Sequence, residues 1–261
     1  MITSLQNQRI KNVVKLTVDA RERRSQNLFV VEGARELSLA ITGGYTIQSL
    51  FVCEEFINQS SKDLIDKLRR ISVEKVNTEV FQKMAYRDQS DGVIAVMEAS
   101  HISLNDIQLP DNSFIIVLES VEKPGNLGAI LRTADAAQVD AVIVCDPACD
   151  IYNPNTIRSS IGCVFTQQVV TCTSNEAYQW LKQNEINIFA AELTASQWYH
   201  ETDFTKPSAI VMGTEAVGLS DFWLKNADRR IKIPMRGYID SLNVSVSTAI
   251  LTFEAMRQRR K

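Results

Sequence analysis

Short apolar runs alternate with helix-period segments along the whole chain, and that alternation restricts the fold to the α/β class. The most constraining run is Phe114-Ile-Ile-Val-Leu118, which is apolar at every position. A strand with one wet face would alternate apolar and polar residues, whereas an unbroken run is the habit of a parallel sheet covered by helices on both sides. Further strands are expected at residues 141–145, 187–191, 209–212 and 230–233, with helices at 127–137, 175–183 and 242–256. Upstream, strands at 28–31, 47–52, 71–76 and 93–97 and helices at 10–16, 34–41, 62–70 and 79–84 form a second, smaller α/β set. Residues 100–113 break the pattern with Asn105, Asp106, Pro110, Asp111 and Asn112. The expected organisation is therefore a smaller domain over 1–99, a linker over 100–112 and a parallel-sheet domain over 113–261. Two compact units suit a length of 261 residues.

Composition narrows the class further. With 45% apolar and 23% charged residues the chain is neither disordered nor low in complexity. No apolar stretch approaches the ~18 residues that span a bilayer, and the start lacks a signal-peptide pattern, so a cytoplasmic protein without a membrane partner is expected. Five cysteines, odd in number and mostly set in strand-like runs, read as reduced thiols. Cys145 and Cys149 form no C-x-x-C pair and have no histidine nearby, so no metal site is expected. His101 and His200 are the only histidines, and neither sits in a motif beside a nucleophile.

The net charge of -3 conceals an asymmetry. Arg9, Lys11, Lys15, Arg21, Arg23 and Arg24 face only Asp19 and Glu22 in the first 24 residues, and residues 257–261 carry four cations without an anion. A basic end on an acidic body is compatible with a nucleic-acid partner and equally with a solvated surface.

Three loops leave the carboxyl ends of expected strands, which is where open α/β sheets bind ligands. The first runs from Glu119 to Arg132: Asn126 is placed to cap a helix, Gly125 and Gly128 permit close backbone approach, and Arg132 can present a planar cationic fork. The second, Val211-Met-Gly-Thr-Glu-Ala-Val-Gly-Leu-Ser220, has the glycine spacing of a P-loop but puts Leu219 where the phosphate-binding lysine belongs, and Glu215 inside the turn. A triphosphate is thereby disfavoured, and a cationic or hydroxyl-bearing ligand is better matched. The third, residues 233–249, crowds Ser241, Asn243, Ser245, Ser247 and Thr248 at the start of a long helix. Each loop alone is also compatible with an ordinary strand-to-helix connection; together they can converge on one edge of the sheet.

Taken in order, Asn126-x-Gly128-x-x-x-Arg132, Gly213-x-Glu215-x-x-Gly218-Leu219 and Ile233-Pro-Met235 with Ser241-Leu-Asn-Val-Ser245 resemble the three motifs of the SpoU/TrmH family of RNA ribose 2′-O-methyltransferases, within the SPOUT superfamily. The resemblance covers about residues 114–257. Residues 9–36, with Phe29-Val-Val-Glu-Gly33, are similar to the family's substrate-binding domain. Ala216-Val217 departs from the small or acidic pair common at the centre of the second motif.

The resemblance implies a trefoil-knotted parallel-sheet SPOUT catalytic domain, preceded by a smaller ribosomal-protein-like α/β domain that binds RNA. It implies a homodimer formed through the SPOUT domain and S-adenosylmethionine as methyl donor, with no metal. Met212, Gly213, Gly218, Ile233, Met235, Leu242 and Val244 would line the donor site. Asn126, Arg132, Glu215, Ser241 and Asn243 would form the catalytic set. By their charge, Arg9, Lys11, Lys15, Arg21, Arg23 and Arg24 are the expected RNA contacts of the smaller domain. The matching arginine is proposed in the family as the base, yet a guanidinium with a pKa above ~12 is better suited to holding a phosphate and stabilising an alkoxide. The amino-terminal domain points to 23S ribosomal RNA before transfer RNA. The alternative is a non-catalytic RNA-binding or ribosome-assembly protein that keeps the fold.

Overall fold

The computed structural model describes residues 1–69 and 71–259. Arg260 and Lys261, two of the four cations at the carboxyl end, and Arg70, the end of one expected helix, lie outside the described residues. The chain forms two compact units, one of Met1–Ser100 with Asp150–Thr166, the other of His101–Cys149 with Gln167–Lys261. No helix among the described residues is long and apolar enough to cross a membrane. The five cysteines form no disulfide.

The first unit runs α1 (Gln8–Val18), α2 (Ala20–Gln26), β1 (Leu28–Glu32), α3 (Ala34–Thr42), β2 (Ile47–Val52), α4 (Gln59–Lys67), β3 (Val73–Lys75), α5 (Thr78–Met84) and β4 (Val93–Glu98). Its sheet has the order β1-β4-β2-β3, antiparallel except for the β2–β3 pair. Asp19 both ends α1, its N–H bonding the Lys15 carbonyl, and opens α2, its carboxylate accepting from the Arg21 N–H at 2.7 Å. Ile10, Val13 and Leu16, on one face of α1, are buried with Phe51, Phe81, Met84 and Ile94. Each such side chain withdrawn from water contributes about 1.5–3 kcal/mol.

Arg23 does not join the exposed cations. It is 4% exposed, its Nε donates to Asp150 Oδ2 at 2.6 Å, and its Nη1 donates to the Leu16 carbonyl at 2.7 Å. Arg23 thus ties α1 to residue 150 and is unavailable to RNA, which corrects the expectation drawn from charge counting.

The partner of Arg23 lies in Asp150–Thr166, a segment expected in the larger domain. It contains the short helix α7 (Pro154–Ser159) and packs into the first unit through aromatic rings. Tyr152 stacks on Phe29 with centroids 4.3 Å apart, and Phe165 meets Phe29 at 5.6 Å and Tyr45 at 5.2 Å. Burial of these rings carries the segment away from the sequence neighbours it would otherwise join.

The second unit comprises β5 (Phe114–Glu119), α6 (Pro124–Ala136), β6 (Ala141–Cys145), β7 (Val169–Cys172), α8 (Ser174–Gln183), β8 (Asn187–Ala191), β9 (Gln197–Trp198), β10 (Ser208–Met212), α9 (Asp221–Asn226), β11 (Arg229–Lys232) and α10 (Val244–Arg259). Its seven strands are all parallel, in the order β7-β6-β5-β10-β8-β11-β9. β5 is buried at every position, as its apolar run requires. Residues 101–112 are not a free linker: Ile102 bridges to Val170, Leu104–Asp106 forms a turn closed by Ser103 and Asp106, and Ile107 enters the core.

The strand order reverses direction at β5, with β6 and β7 on one side and β10 on the other. Such a switch point leaves a crevice at the carboxyl ends of the strands. The loops after β5, β10 and β11 all open there.

Candidate active site

The loop after β5 enters α6 with Pro124 at the first helical turn and Lys123 as the residue before it. Asn126 is consequently inside the helix and does not cap it. Its Nδ2 donates instead to Glu215 Oε1, at 2.6 Å, across to the second loop.

That second loop is shaped by two glycines. Thr214 and Gly218 exchange backbone hydrogen bonds of 3.0 and 3.1 Å, closing a tight hairpin. A Cβ on Gly213 would lie 2.2 Å from the Gly218 carbonyl carbon, so no side chain fits. Gly218 has φ +73°, the left-handed region that glycine enters without strain. The hairpin holds Glu215 toward the other two loops.

The third loop supplies Asn243. Its Nδ2 donates to Glu215 Oε1 at 2.6 Å and lies 3.2 Å from Asn126 Oδ1, while its Oδ1 accepts from the Ser245 N–H and hydroxyl at 3.0 and 2.6 Å. Lys123 forms an ion pair with Glu215 Oε2. One carboxylate therefore joins residues from all three loops. The Lys123 ammonium, then Asn126 and the Val244 N–H, hold the Glu215 carboxyl below the ordinary glutamate range. The same contact raises Lys123. A carboxylate so fully engaged is an organiser of side chains and a weak proton acceptor.

Beside this cluster is a cavity of about 520 Å³. All seven residues expected at the donor site, Met212, Gly213, Gly218, Ile233, Met235, Leu242 and Val244, line it, as do Glu215 and Ser241. Leu219, Leu224, Ile231 and Leu251 give it apolar lining, and its charged residues are Glu192, Glu215, Asp240 and Lys232, of which Glu215 is paired with Lys123 and Glu192 with Arg230. Leu219, where a P-loop would have lysine, is buried. This lining fits a ligand with an apolar ring, hydroxyl groups and a positive centre, and does not fit a triphosphate.

Asn126, Asn243 and Arg132 are outside the cavity wall. Arg132 stands exposed on α6, six residues beyond Asn126, and is not drawn into the Glu215 cluster. Neither histidine lines the cavity. One wall was not anticipated: Glu192, Leu193 and Thr194, which follow β8. Their signal was positional, since they too leave the carboxyl end of a parallel strand.

A parallel sheet whose strand-end loops meet on one carboxylate, beside a cavity lined by apolar residues and three carboxylates, defines an α/β enzyme domain for a small organic ligand. More specifically, the chain belongs to the SpoU rRNA Methylase family, whose model matches residues 113–253. A model of the MRM3-like substrate binding domain matches residues 7–95. A 23S rRNA (uridine(2479)-2′-O)-methyltransferase from Streptomyces viridochromogenes is 28% identical over 99% of this chain and 92% of its own length. Among solved structures, an RNA 2′-O ribose methyltransferase has a TM-score of 0.88 and 38% identity over 99% of this chain and 98% of its own. The SpoU methyltransferase AviRb from Streptomyces viridochromogenes in complex with AdoMet has a TM-score of 0.88 and 27% identity, over 97% and 98% of the two chains.

Proposed function

We propose that the protein transfers the methyl group of S-adenosylmethionine to a ribose 2′-hydroxyl of 23S ribosomal RNA. The observation that carries this reading is the convergence of the three motif loops on Glu215, which lines the cavity. The relatives' named activity and the AdoMet complex of AviRb support it.

S-adenosylmethionine, when bound, supplies an electrophilic methyl carbon on a sulfonium. The cavity residues Met212, Gly213, Gly218, Ile233, Met235, Leu242 and Val244 hold it, largely by backbone and apolar contact. Glu215 keeps Asn126 and Asn243 in one arrangement, so that their amides meet the ribose in a fixed pose. Arg132 would bind the neighbouring phosphate and stabilise the ribose oxygen as its proton passes to solvent and the oxygen takes the methyl group from the departing thioether. Ser241, at the cavity edge, is a further hydroxyl contact for substrate.

In the first unit, Lys11, Lys15, Arg21 and Arg24 are exposed and suited to the RNA backbone. Arg9 joins them with a prior commitment, since it already pairs with Glu74. The protein acts as a homodimer in the cytoplasm. Support for the dimer comes from α10, which is apolar on both sides: Leu251 and Ala255 are buried, while Val246 and Phe253 are 47% and 46% exposed. Light scattering at micromolar concentration would give twice the chain mass.

The test of function is a map of 2′-O-methylation across ribosomal and transfer RNA in cells with and without this gene. Loss of one 23S mark is the expected result. Loss of a transfer-RNA mark instead would move the substrate, and an unchanged map would leave a non-catalytic RNA-binding protein.

A further inference from the structure

Glu119 is the last residue of β5 and is 7% exposed. No motif role was assigned to it, and it lies outside the cavity wall and the Glu215 cluster. Both of its carboxylate oxygens are nevertheless committed. Oε2 accepts the Ser220 N–H at 2.7 Å and Oε1 accepts the Ser220 hydroxyl at 2.6 Å. Ser220 is the first residue beyond the glycine hairpin and precedes α9.

The two ends of the hairpin are consequently fixed to neighbouring positions on one strand. At its start, Met212 pairs in register with Leu118 of β5. At its end, Ser220 is held by Glu119. Between those anchors lie Gly213, Thr214, Glu215, Ala216, Val217, Gly218 and Leu219, all of which line the cavity. α9 is itself fixed further along, where the fully buried Trp223 donates from Nε1 to Ser174 Oγ at 3.1 Å. Ser174 in turn is held by Asp146, at the end of β6, through its N–H at 3.1 Å and its hydroxyl at 2.6 Å. The hairpin is thus anchored at Ser220 by the buried Glu119, and α9 beyond it by a buried bond from Trp223 and part-buried bonds to Asp146, just past the end of β6.

We propose that Glu119 is a positioning residue for methyl-donor binding: its paired hydrogen bonds to Ser220 hold the 213–219 hairpin in the shape that grips the donor. The inference rests on the reading of the cavity as the S-adenosylmethionine site. Glu119 lies outside the cavity wall, so its removal changes how often the hairpin is correctly shaped and leaves the chemical step alone. Donor affinity falls by the fraction of molecules in which the loop is misplaced.

The test is calorimetry with S-adenosylmethionine on the full chain, with methyl-transfer kinetics and melting curves for Glu119→Gln, Ser220→Ala and Ser220→Thr. Glu119→Gln turns one acceptor into a donor facing another donor; Kd and KM for the donor are expected to rise roughly ten-fold, the scale of one charge-assisted hydrogen bond, with kcat within about two-fold of wild type. Ser220→Ala keeps the backbone bond and loses the hydroxyl bond, for a rise of roughly three-fold to ten-fold. Ser220→Thr keeps both donors and restores wild-type affinity. Should Glu119→Gln fail to fold, the serine pair decides. Donor affinity unchanged in folded Ser220→Ala and Glu119→Gln overturns the proposal, whatever their melting temperatures. Failure of the wild-type protein to bind S-adenosylmethionine would overturn the reading of the cavity instead.

Discussion

Asn126 Nδ2 and Glu215 Oε1 lie 2.6 Å apart, joining the first turn of the helix after β5 to the glycine hairpin after β10. Asn243 reaches the same oxygen at 2.6 Å from the third loop. Replacing Glu215 with Ala releases both amides at once. Methyl transfer at saturating donor is expected to fall by about 10²-fold, the cost of a misplacement near 1 Å. Single-turnover rates check it; a change below about five-fold would mean the cluster does not set the reacting geometry.

Arg132 makes the opposite case, because it is exposed and outside the cavity. Arg132→Ala is expected to abolish methyl transfer while donor affinity stays near wild type. Calorimetry showing that donor binding is lost in this variant would remove the phosphate-holding role.

The two hairpin glycines respond differently to the same substitution. Gly213→Ala forces a Cβ to 2.2 Å from the Gly218 backbone, so the hairpin cannot close and donor binding disappears. Gly218→Ala meets open space and pays only for its φ of +73°, about 1–2 kcal/mol, leaving weakened but measurable binding. Equal behaviour of the two variants in a thermal shift with S-adenosylmethionine would contradict this account of the loop.

Arg23 tests the first unit. Truncating it leaves Asp150 partly buried without its cation and frees two helix carbonyls. Arg23→Ala should cost about 3–5 kcal/mol of stability, read by urea denaturation. Lys11→Ala and Lys15→Ala, on exposed α1 positions, should leave stability within about 0.5 kcal/mol and weaken RNA binding in a salt-dependent way.

The sign of the pH dependence follows from Glu215. Its folded carboxyl is held below the ordinary value of 4.5, chiefly by Lys123. Its contribution is complete above the unfolded value and is lost only as pH falls through the lower folded value. The Glu215 carboxyl resonance should therefore titrate with its midpoint below 4.5. A midpoint above 4.5 would show the cluster unformed in solution.

How far the sequence reached depended on the kind of signal. β5 was legible because Phe114 to Leu118 are apolar throughout, and the cavity residues were legible through their motifs and strand ends. The helical start at Pro124 was misread, although proline's preference for the first turn pointed to it, and Asn126 was taken for a cap in consequence. Arg23 was counted with its neighbours because charge alone does not distinguish a guanidinium facing water from one facing Asp150. The Asp150–Thr166 segment was placed in the larger domain by its position along the chain, because nothing in the sequence says which core receives Tyr152 and Phe165. The wall formed by Glu192, Leu193 and Thr194 carries no distinctive chemistry and became visible only from the parallel sheet.

The most direct measurement is methyl transfer from S-adenosylmethionine labelled in its methyl group to purified 23S ribosomal RNA, with the labelled nucleotide then identified. The account predicts label on one ribose 2′-oxygen with wild-type protein and none with Arg132→Ala. Label on a base, or no transfer to RNA by a protein that binds the donor, would contradict it.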